Sequence, residues 1–530
     1  MGLSVMPDIR KVAGGTVWSH TWDTFTATVF KPDTAFPGDV INYGFKAPFP
    51  VVLTEDLFTE EEAIRHAQST GLSSLASSFD GCVVYVYPTA EGGWKNADVS
   101  LYRELIVNTK IGPFYESGVL IQKDFFGKGP DQYYIRGAIF RVCLYGKGEA
   151  ADYIAKNLLT TVNGQYLWGP GEITPSAVCL EGLSVIPAPE RDDIAVISVN
   201  NSSSINSALR EKCRWLLEKD EAEYENDWRS FTFRFKRWCG VIEDEPVFSP
   251  DSMTEEYGIC RVKTTAENTG RWSGSAEHPV GYFAYYANGL LNEANIPVVV
   301  AFHGGGDSAL HISHVSGWWR IAEKYRFLLI CVENHMDVTA SEAVQLIDQL
   351  CGIYPIDRRR IYATGFSMGG CKTWDCFQEY PEYVAALAPM DATFDVGLNM
   401  FGQKAPRMNT DTPVPVFYAG GEETPLPELP FQAEKCLDRI AWVFGVNRVR
   451  KAYTARFENR EQWENRIWGI NGDTVEKIPD ASRNSILTLH SFSDTDGNIT
   501  VQLASVSPQG HECRMHTCEQ AWLFMSRFSR

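Results

Sequence analysis

The 530-residue chain has no run of about twenty apolar residues, so no segment reads as a helix that crosses a bilayer. It is short of positive charge: 48 Lys and Arg stand against 67 Asp and Glu, for a formal charge of −19. A surface of that sign repels nucleic acid and anionic membranes at long range and favours a neutral or cationic partner. Regularly spaced cysteine is also lacking. The 13 cysteines are odd in number and scattered, and Cys82, Cys143 and Cys331 lie in apolar stretches, as reduced and buried thiols do. Neither H-E-x-x-H nor G-x-x-x-x-G-K-[ST] occurs. The opening MGLSVMPDIRKVAGG has no basic region followed by an apolar run, from which a cytoplasmic protein is expected. A chain whose export leader had been removed would begin in the same way.

Apolar residues are plentiful, at 44% with 12% aromatic, which excludes disorder and provides for large cores. The length suggests roughly two to four domains. Apolar, β-branched segments alternate with helix-like ones throughout, the pattern of parallel βαβ units, so an α/β fold is expected. The first half runs from TVWSHTWDTFTATVF and VINYGF through PFPVVLTEDLF, GCVVYVYPT and IFRVCLYG to IAVISVNN. A single long helix is expected over 206–226. The charged, proline-bearing EDEPVFSPDSMTEEYG is taken as a junction, giving an N-terminal α/β domain over 1–242, a linker over 243–258 and a second domain over 259–530.

The second half repeats the programme, with GICRVKTTAEN and PVGYFAYYANG as paired strands, then IPVVVAFHGGG, FLLICVEN and IYATGFSMGG. A helical insertion is expected near 431–470, and ILTLHSFSDTDGNITVQLASV reads as a hairpin turning at DGN. Laid side by side, PVVLTEDLF parallels PVVVAFHGGG, VVYVYPT parallels LLICVEN, and IFRVCLYGKGEAADY parallels IYATGFSMGGCKTW. Either the chain contains a duplication whose first copy is catalytically empty, with Gly148 at the position of Ser367, or two doubly wound sheets share an element order.

The chemistry centres on Gly365-Phe366-Ser367-Met368-Gly369, a G-x-S-x-G in which the glycines permit so sharp a strand-to-helix turn that the serine is held at a strained angle. A glycine-flanked serine can also be a plain turn or a helix N-cap. A serine nucleophile needs a base and a group to orient it. His511, after Gly510 and before the last helix, lies 144 residues beyond the serine, in the order Ser, acid, His. His516 falls inside the helix. The acid should follow the strand PVPVFYAG: Glu423, three residues past Gly420, is favoured, with Glu422 and Glu428 in the same loop, or Asp391 after the preceding strand, as alternatives. The oxyanion would be met by the backbone N–H of Met368 and of Gly304 and Gly305 in His303-Gly304-Gly305-Gly306, with His303 supporting that loop. His303, Trp442, Trp463 and Trp468 are candidates for the substrate pocket. Asp307, His311 and His314 have no third strong ligand nearby, and Trp318 and Trp319 read as packing or pocket wall, so no metal or cofactor is expected.

The residues FHGGGD, PIDRRRIYATGFSMGGCKTWDCFQEYPEYVAALAPM and GHE before the terminal helix resemble α/β-hydrolase esterases of the polyhydroxybutyrate-depolymerase and feruloyl-esterase type. The resemblance covers about half the chain. It implies an α/β-hydrolase fold for the C-terminal half, with Arg360 and Ile361 leading into the elbow strand, Ser367 as nucleophile and His511 as base. The family usually carries Asp as the acid, where this chain offers Glu. The leading expectation is hydrolysis of a small or oligomeric carboxylic ester through an acyl-enzyme. A serine peptidase on the same fold and a non-catalytic binding or scaffold protein are the alternatives.

Overall fold

A computed structural model describes residues 9–33, 49–78, 81–106, 142–232 and 252–530, apart from 167–168, 176, 193, 271, 306–308, 334 and 482. The stretch VINYGF, residues 243–251, Gly306 and Asp307 therefore lie outside the described residues. The chain divides into two compact units, Met1–Val247 and Phe248–Arg530.

The first unit contains strands β1 (Arg10–Val12), β2 (Gly15–Thr21), β3 (Phe25–Pro32), β4 (Phe49–Leu53), β5 (Val83–Pro88), β6 (Val142–Lys147), β7 (Asn163–Tyr166), β8 (Gly169–Glu172), β9 (Ala177–Glu181), β10 (Ala195–Val199) and β11 (Leu216–Lys219). All but β7 and β8 form a nine-stranded sheet in the order β1-β2-β3-β5-β4-β6-β9-β10-β11. Its core strands are solid apolar runs because helices cover both faces; Val83, Val84, Leu144 and Val196 are fully buried. The stretch expected as one long helix is three elements: a helix Ser203–Lys212, strand β11 and a helix Tyr224–Thr232. The sequence LLEK adds to the sheet beside β10 in parallel, and that pairing overrides the local helix propensity of its Leu, Glu and Lys.

The second unit contains β12 (Met253–Lys263), β13 (Glu277–Ala287), β14 (Ile296–Phe302), β15 (Leu328–Val332), β16 (Ile356–Phe366), β17 (Ala386–Met390), β18 (Val416–Gly421), β19 (Thr474–Asp480), β20 (Ser485–Ser493) and β21 (Ile499–Ser507). They form one ten-stranded sheet in the order β12-β13-β15-β14-β16-β17-β18-β21-β20-β19. Strand β12 begins at Met253, inside the stretch expected as linker. The DGN hairpin is β20 and β21, with Gly497 at φ 88° in its turn. Between β18 and β19 lie one helix, Glu434–Val446, and a short 3-10 stretch, Phe457–Gln462.

Register places the chemistry at one edge. Phe302 pairs with Gly365, Phe366 with Met390, Met390 with Ala419, and Gly421 with Val506. The loops carrying His303, Ser367, Asp391, Glu422 to Thr424 and His511 therefore all leave from the carboxyl ends of neighbouring strands, where open α/β sheets hold their ligands.

The two sheets share more than element order. The successions β2-β3-β5-β4-β6-β9-β10-β11 and β12-β13-β15-β14-β16-β17-β18-β21 agree strand by strand, including the antiparallel joint at β3/β5 and β13/β15. At the ends of the corresponding strands β6 and β16, Gly148 has φ 54°, ψ −121° and Ser367 has φ 55°, ψ −121°. Each N–H reaches the last residue of the next strand, Gly148 to Glu181 O at 2.9 Å and Ser367 to Met390 O at 3.0 Å.

Candidate active site

The turn at Ser367 is dictated by what surrounds it. A Cβ on Gly365 would stand 2.2 Å from Gly369 O, one on Gly369 2.0 Å from Phe302 O and 2.6 Å from His303 O, and one on Gly370 2.5 Å from the Ala392 methyl. No side chain fits at these positions, so strand β16, the helix Met368–Glu379 and the loop after β14 can approach closely only through glycine. Ser367 itself is not glycine and sits at positive φ, a conformation an L-residue holds at a cost of about 1–3 kcal/mol. It stands at the N-cap position of the helix Met368–Glu379, but its hydroxyl caps no helical N–H.

The close contact at Gly369 sets the loop after β14 against the elbow. His303 is fully buried, with Nδ1 2.7 Å from Gly304 O and Nε2 2.6 Å from Glu333 O. Its ring packs edge-on against His335 at 4.3 Å. It braces the loop from behind. Gly304 is buried and Gly305 exposed, and the far end of the loop is tied by the Glu333 carboxylate, which accepts from Ala309 N at 2.9 Å.

His511 follows β21 and precedes the terminal helix Met515–Met525. Its ring lies over Phe366, the residue before the nucleophile, at 4.6 Å. Burial pushes its pKa down to about 4, opposed by the charge of Glu512. Its Nδ1 faces Thr424 Oγ1 at 3.5 Å. No hydrogen bond joins His511 to Ser367 or to a carboxylate among the described residues. His516 lies in the terminal helix.

The carboxylates expected from the sequence are spread around this loop. Glu423 is exposed, held by its main chain through N–H to Gln509 O at 2.8 Å. Glu422 accepts from Ser505 Oγ at 2.9 Å and pairs with Arg466 at 3.2 Å. Glu428 lies farther along, and burial raises its pKa to about 7. Asp391 is buried at φ 44° and accepts from Gly421 N at 2.9 Å and Glu512 N at 3.3 Å. It thus clasps the loop after β18 to the loop carrying His511; burial raises its pKa. The loops also meet at Gly421, where a Cβ would stand 2.1 Å from Gly510 O.

Thr424, which sequence reasoning passed over, is the residue whose side chain meets His511. The signal was strand length: β18 runs one residue past Gly420 to Gly421, so the residue three beyond the strand is Thr424 and not Glu423. Of the tryptophans, Trp468 is fully buried against Tyr418 at 5.5 Å. Trp442 packs on Phe377 at 4.7 Å and donates to Asn409 O at 2.8 Å. Trp463 is half-buried and donates to Arg456 O at 3.1 Å. His314 pairs with Glu255 at 3.3 Å beside Trp319, and no group of three or more His, Cys, Asp or Glu among the described residues could hold a metal ion. No helix among them is long and apolar enough to cross a membrane.

The second unit has the α/β-hydrolase fold: an antiparallel strand early in a parallel sheet, a strained serine after the central strand and a histidine loop after the last parallel one. Compared with known proteins, the chain is 24% identical over 245 residues to a bifunctional acetylxylan esterase/xylanase of Neocallimastix patriciarum, a match that takes in 44% of this chain and 31% of that protein. The chain thus spans about a third of the length of that curated relative. Among solved structures, it matches the acetyl xylan esterase from Aspergillus awamori at 15% identity and TM-score 0.33, covering 51% of this chain and 99% of that one. It also matches the feruloyl esterase module from Clostridium thermocellum complexed with sinapinate, at 14% identity and TM-score 0.30, covering 52% and 88%. No family model matches.

Proposed function

We propose that the second unit is a serine hydrolase that cleaves carboxylic esters through an acyl-enzyme. Ser367 attacks the ester carbonyl while His511 takes its proton; the oxyanion is met by the N–H groups of Met368, Gly304 and Gly305; His511 returns the proton to the leaving alcohol, and water then repeats the sequence to free the acid. The observation that carries the reading is the Ser367 backbone, held at φ 55°, ψ −121° by glycine contacts, with the His511 ring packed at a tilt on the adjoining Phe366. Strain of this kind persists where the surroundings impose it, and it aims the hydroxyl away from the helix it begins. The acetylxylan esterase likeness makes acetylated polysaccharide the first natural substrate to try. Short acyl esters of a chromogenic alcohol and a fluorophosphonate probe test the reading: turnover and labelling lost together in Ser367→Ala support it, and turnover undiminished in that variant refutes it. Cleavage of peptides without ester turnover would favour a peptidase.

The first unit is read as a non-catalytic copy of the second. The strand order and the matching torsions at Gly148 and Ser367 support this, and so does the filling of the place a nucleophile would take: Glu55 Oε1 lies 2.8 Å from where a Cβ on Gly148 would be. By register, Thr54 stands where His303 does, and its hydroxyl is turned to Val86 O at 3.2 Å. A Ser367→Ala chain that still reacted with fluorophosphonate on residues 1–247 would overturn it.

A further inference from the structure

The geometry points to Thr424 as the residue that orients His511, in the place where a carboxylate would complete a triad. The inference rests on the serine-hydrolase reading of Ser367 and His511. Thr424 is buried, and its Oγ1 is the only polar side-chain atom in hydrogen-bonding range of His511 Nδ1 among the described residues, at 3.5 Å. That distance is at the outer edge of a hydrogen bond, and such contacts in unliganded hydrolases tighten when charge develops.

Thr424 is fixed on the remaining sides. Its main-chain N–H bonds Gly421 O at 3.3 Å, its carbonyl accepts from Gln432 Nε2 at 2.8 Å, and Leu426 N approaches its hydroxyl at 3.5 Å. The nearby carboxylates are otherwise engaged or turned to solvent: Asp391 accepts from Gly421 N and Glu512 N, Glu422 is held by Ser505 and Arg466, Glu512 pairs with Arg514 at 2.8 Å, and Glu423 is exposed. When His511 Nε2 takes the Ser367 proton, both ring nitrogens become donors, and Nδ1–H needs an acceptor. A threonine oxygen accepts it by turning its own hydrogen away, and no proton passes to Thr424. A neutral hydroxyl stabilises the imidazolium less than a carboxylate does, in keeping with the low pKa of His511. Thr424 is a positioning residue acting through His511.

The test compares Thr424→Val, Thr424→Ser, Thr424→Asp and Glu423→Gln in the full chain, by kcat and KM on a short acyl ester over pH 4–9, fluorophosphonate labelling rate and thermal midpoint. Removing the hydroxyl in Thr424→Val is expected to lower kcat and labelling roughly tenfold to a hundredfold with KM and thermal midpoint little changed. Thr424→Ser keeps activity within about threefold. Thr424→Asp moves the acid limb of the kcat/KM profile upward by about one pH unit or more, which reads that position 424 faces the imidazole. The kcat loss in Thr424→Val at unchanged KM and thermal midpoint, rescued in Thr424→Ser, is what a merely structural role would not produce. Glu423→Gln stays near wild type. A large loss in Glu423→Gln with Thr424→Val unaffected, or an acid limb unmoved in Thr424→Asp, overturns the assignment while leaving the serine reading intact. A wild-type chain that neither turns over esters nor labels at Ser367 overturns both.

Discussion

Replacing Ser367 by glycine and by alanine separates the strain of the elbow from its chemistry. Both variants lack the hydroxyl, but alanine must still adopt φ 55°, ψ −121°, which glycine takes freely. The strain is about 1–3 kcal/mol, and glycine gives back about 0.5–1 kcal/mol through the extra freedom of the unfolded chain. Ser367→Gly should therefore be more stable than Ser367→Ala by about 1 kcal/mol, which in a unit of this size is a rise in thermal midpoint of about 2–4 °C. The mirror experiment is Gly148→Ala. It introduces a side chain at φ 54° and sets a Cβ 2.8 Å from the Glu55 carboxylate. Glu55 is an exposed, flexible side chain and can withdraw, so the loss should again be the strain less about 0.5–1 kcal/mol of unfolded-state freedom, about 1 kcal/mol. Scanning calorimetry of the full chain reads both. A Ser367→Gly chain no more stable than Ser367→Ala, or a neutral Gly148→Ala, would refute the claim that these turns store strain.

Gly369→Ala should abolish ester turnover and lower the thermal midpoint by several degrees, because the new methyl meets Phe302 O at 2.0 Å and both partners are backbone; normal activity would contradict the packing. The His511 pKa, about 4 folded against an ordinary 6.5, means that the unfolded chain takes up a proton first as pH falls. His511 then withdraws stability between pH 6.5 and 4, by about 3 kcal/mol at the lower end. His511→Gln should remove that part of the pH dependence, seen as denaturation midpoints that converge with wild type above pH 7 and exceed it at pH 4.5. Asp391→Ala leaves Gly421 N and Glu512 N without their acceptor and should cost about 1–3 kcal/mol along with most of the ester turnover. Asp391→Asn, which keeps an acceptor oxygen, should recover part of the stability, and equal losses in the two would argue against the clasp.

How far the sequence could be read depended on whether the signal was local. The elbow was legible because three glycines crowd one serine and each is a backbone requirement. The DGN hairpin was legible because Gly497 supplies the positive φ its turn needs. The likeness of position between Gly148 and Ser367 could be seen in the alignment, and the matching of their torsions could not. Strand β11 could not be found, since LLEK is helix-prone alone and becomes a strand through its neighbour β10. The contact of Thr424 with His511 escaped for a related reason: β18 lets go of β21 at Gly421, one residue later than the run PVPVFYAG suggests.

The coincidence of torsions at Gly148 and Ser367 bears on how such a chain can change. Glycine and serine are one base apart in part of the genetic code, and at this turn the exchange leaves the backbone where it was. A nucleophile can thus be lost with a gain in stability and regained at a modest loss, which makes the serine cheap to discard wherever selection on turnover lapses. Folding alone favours glycine at either turn, so the backbone by itself gives no reason for a serine at the second.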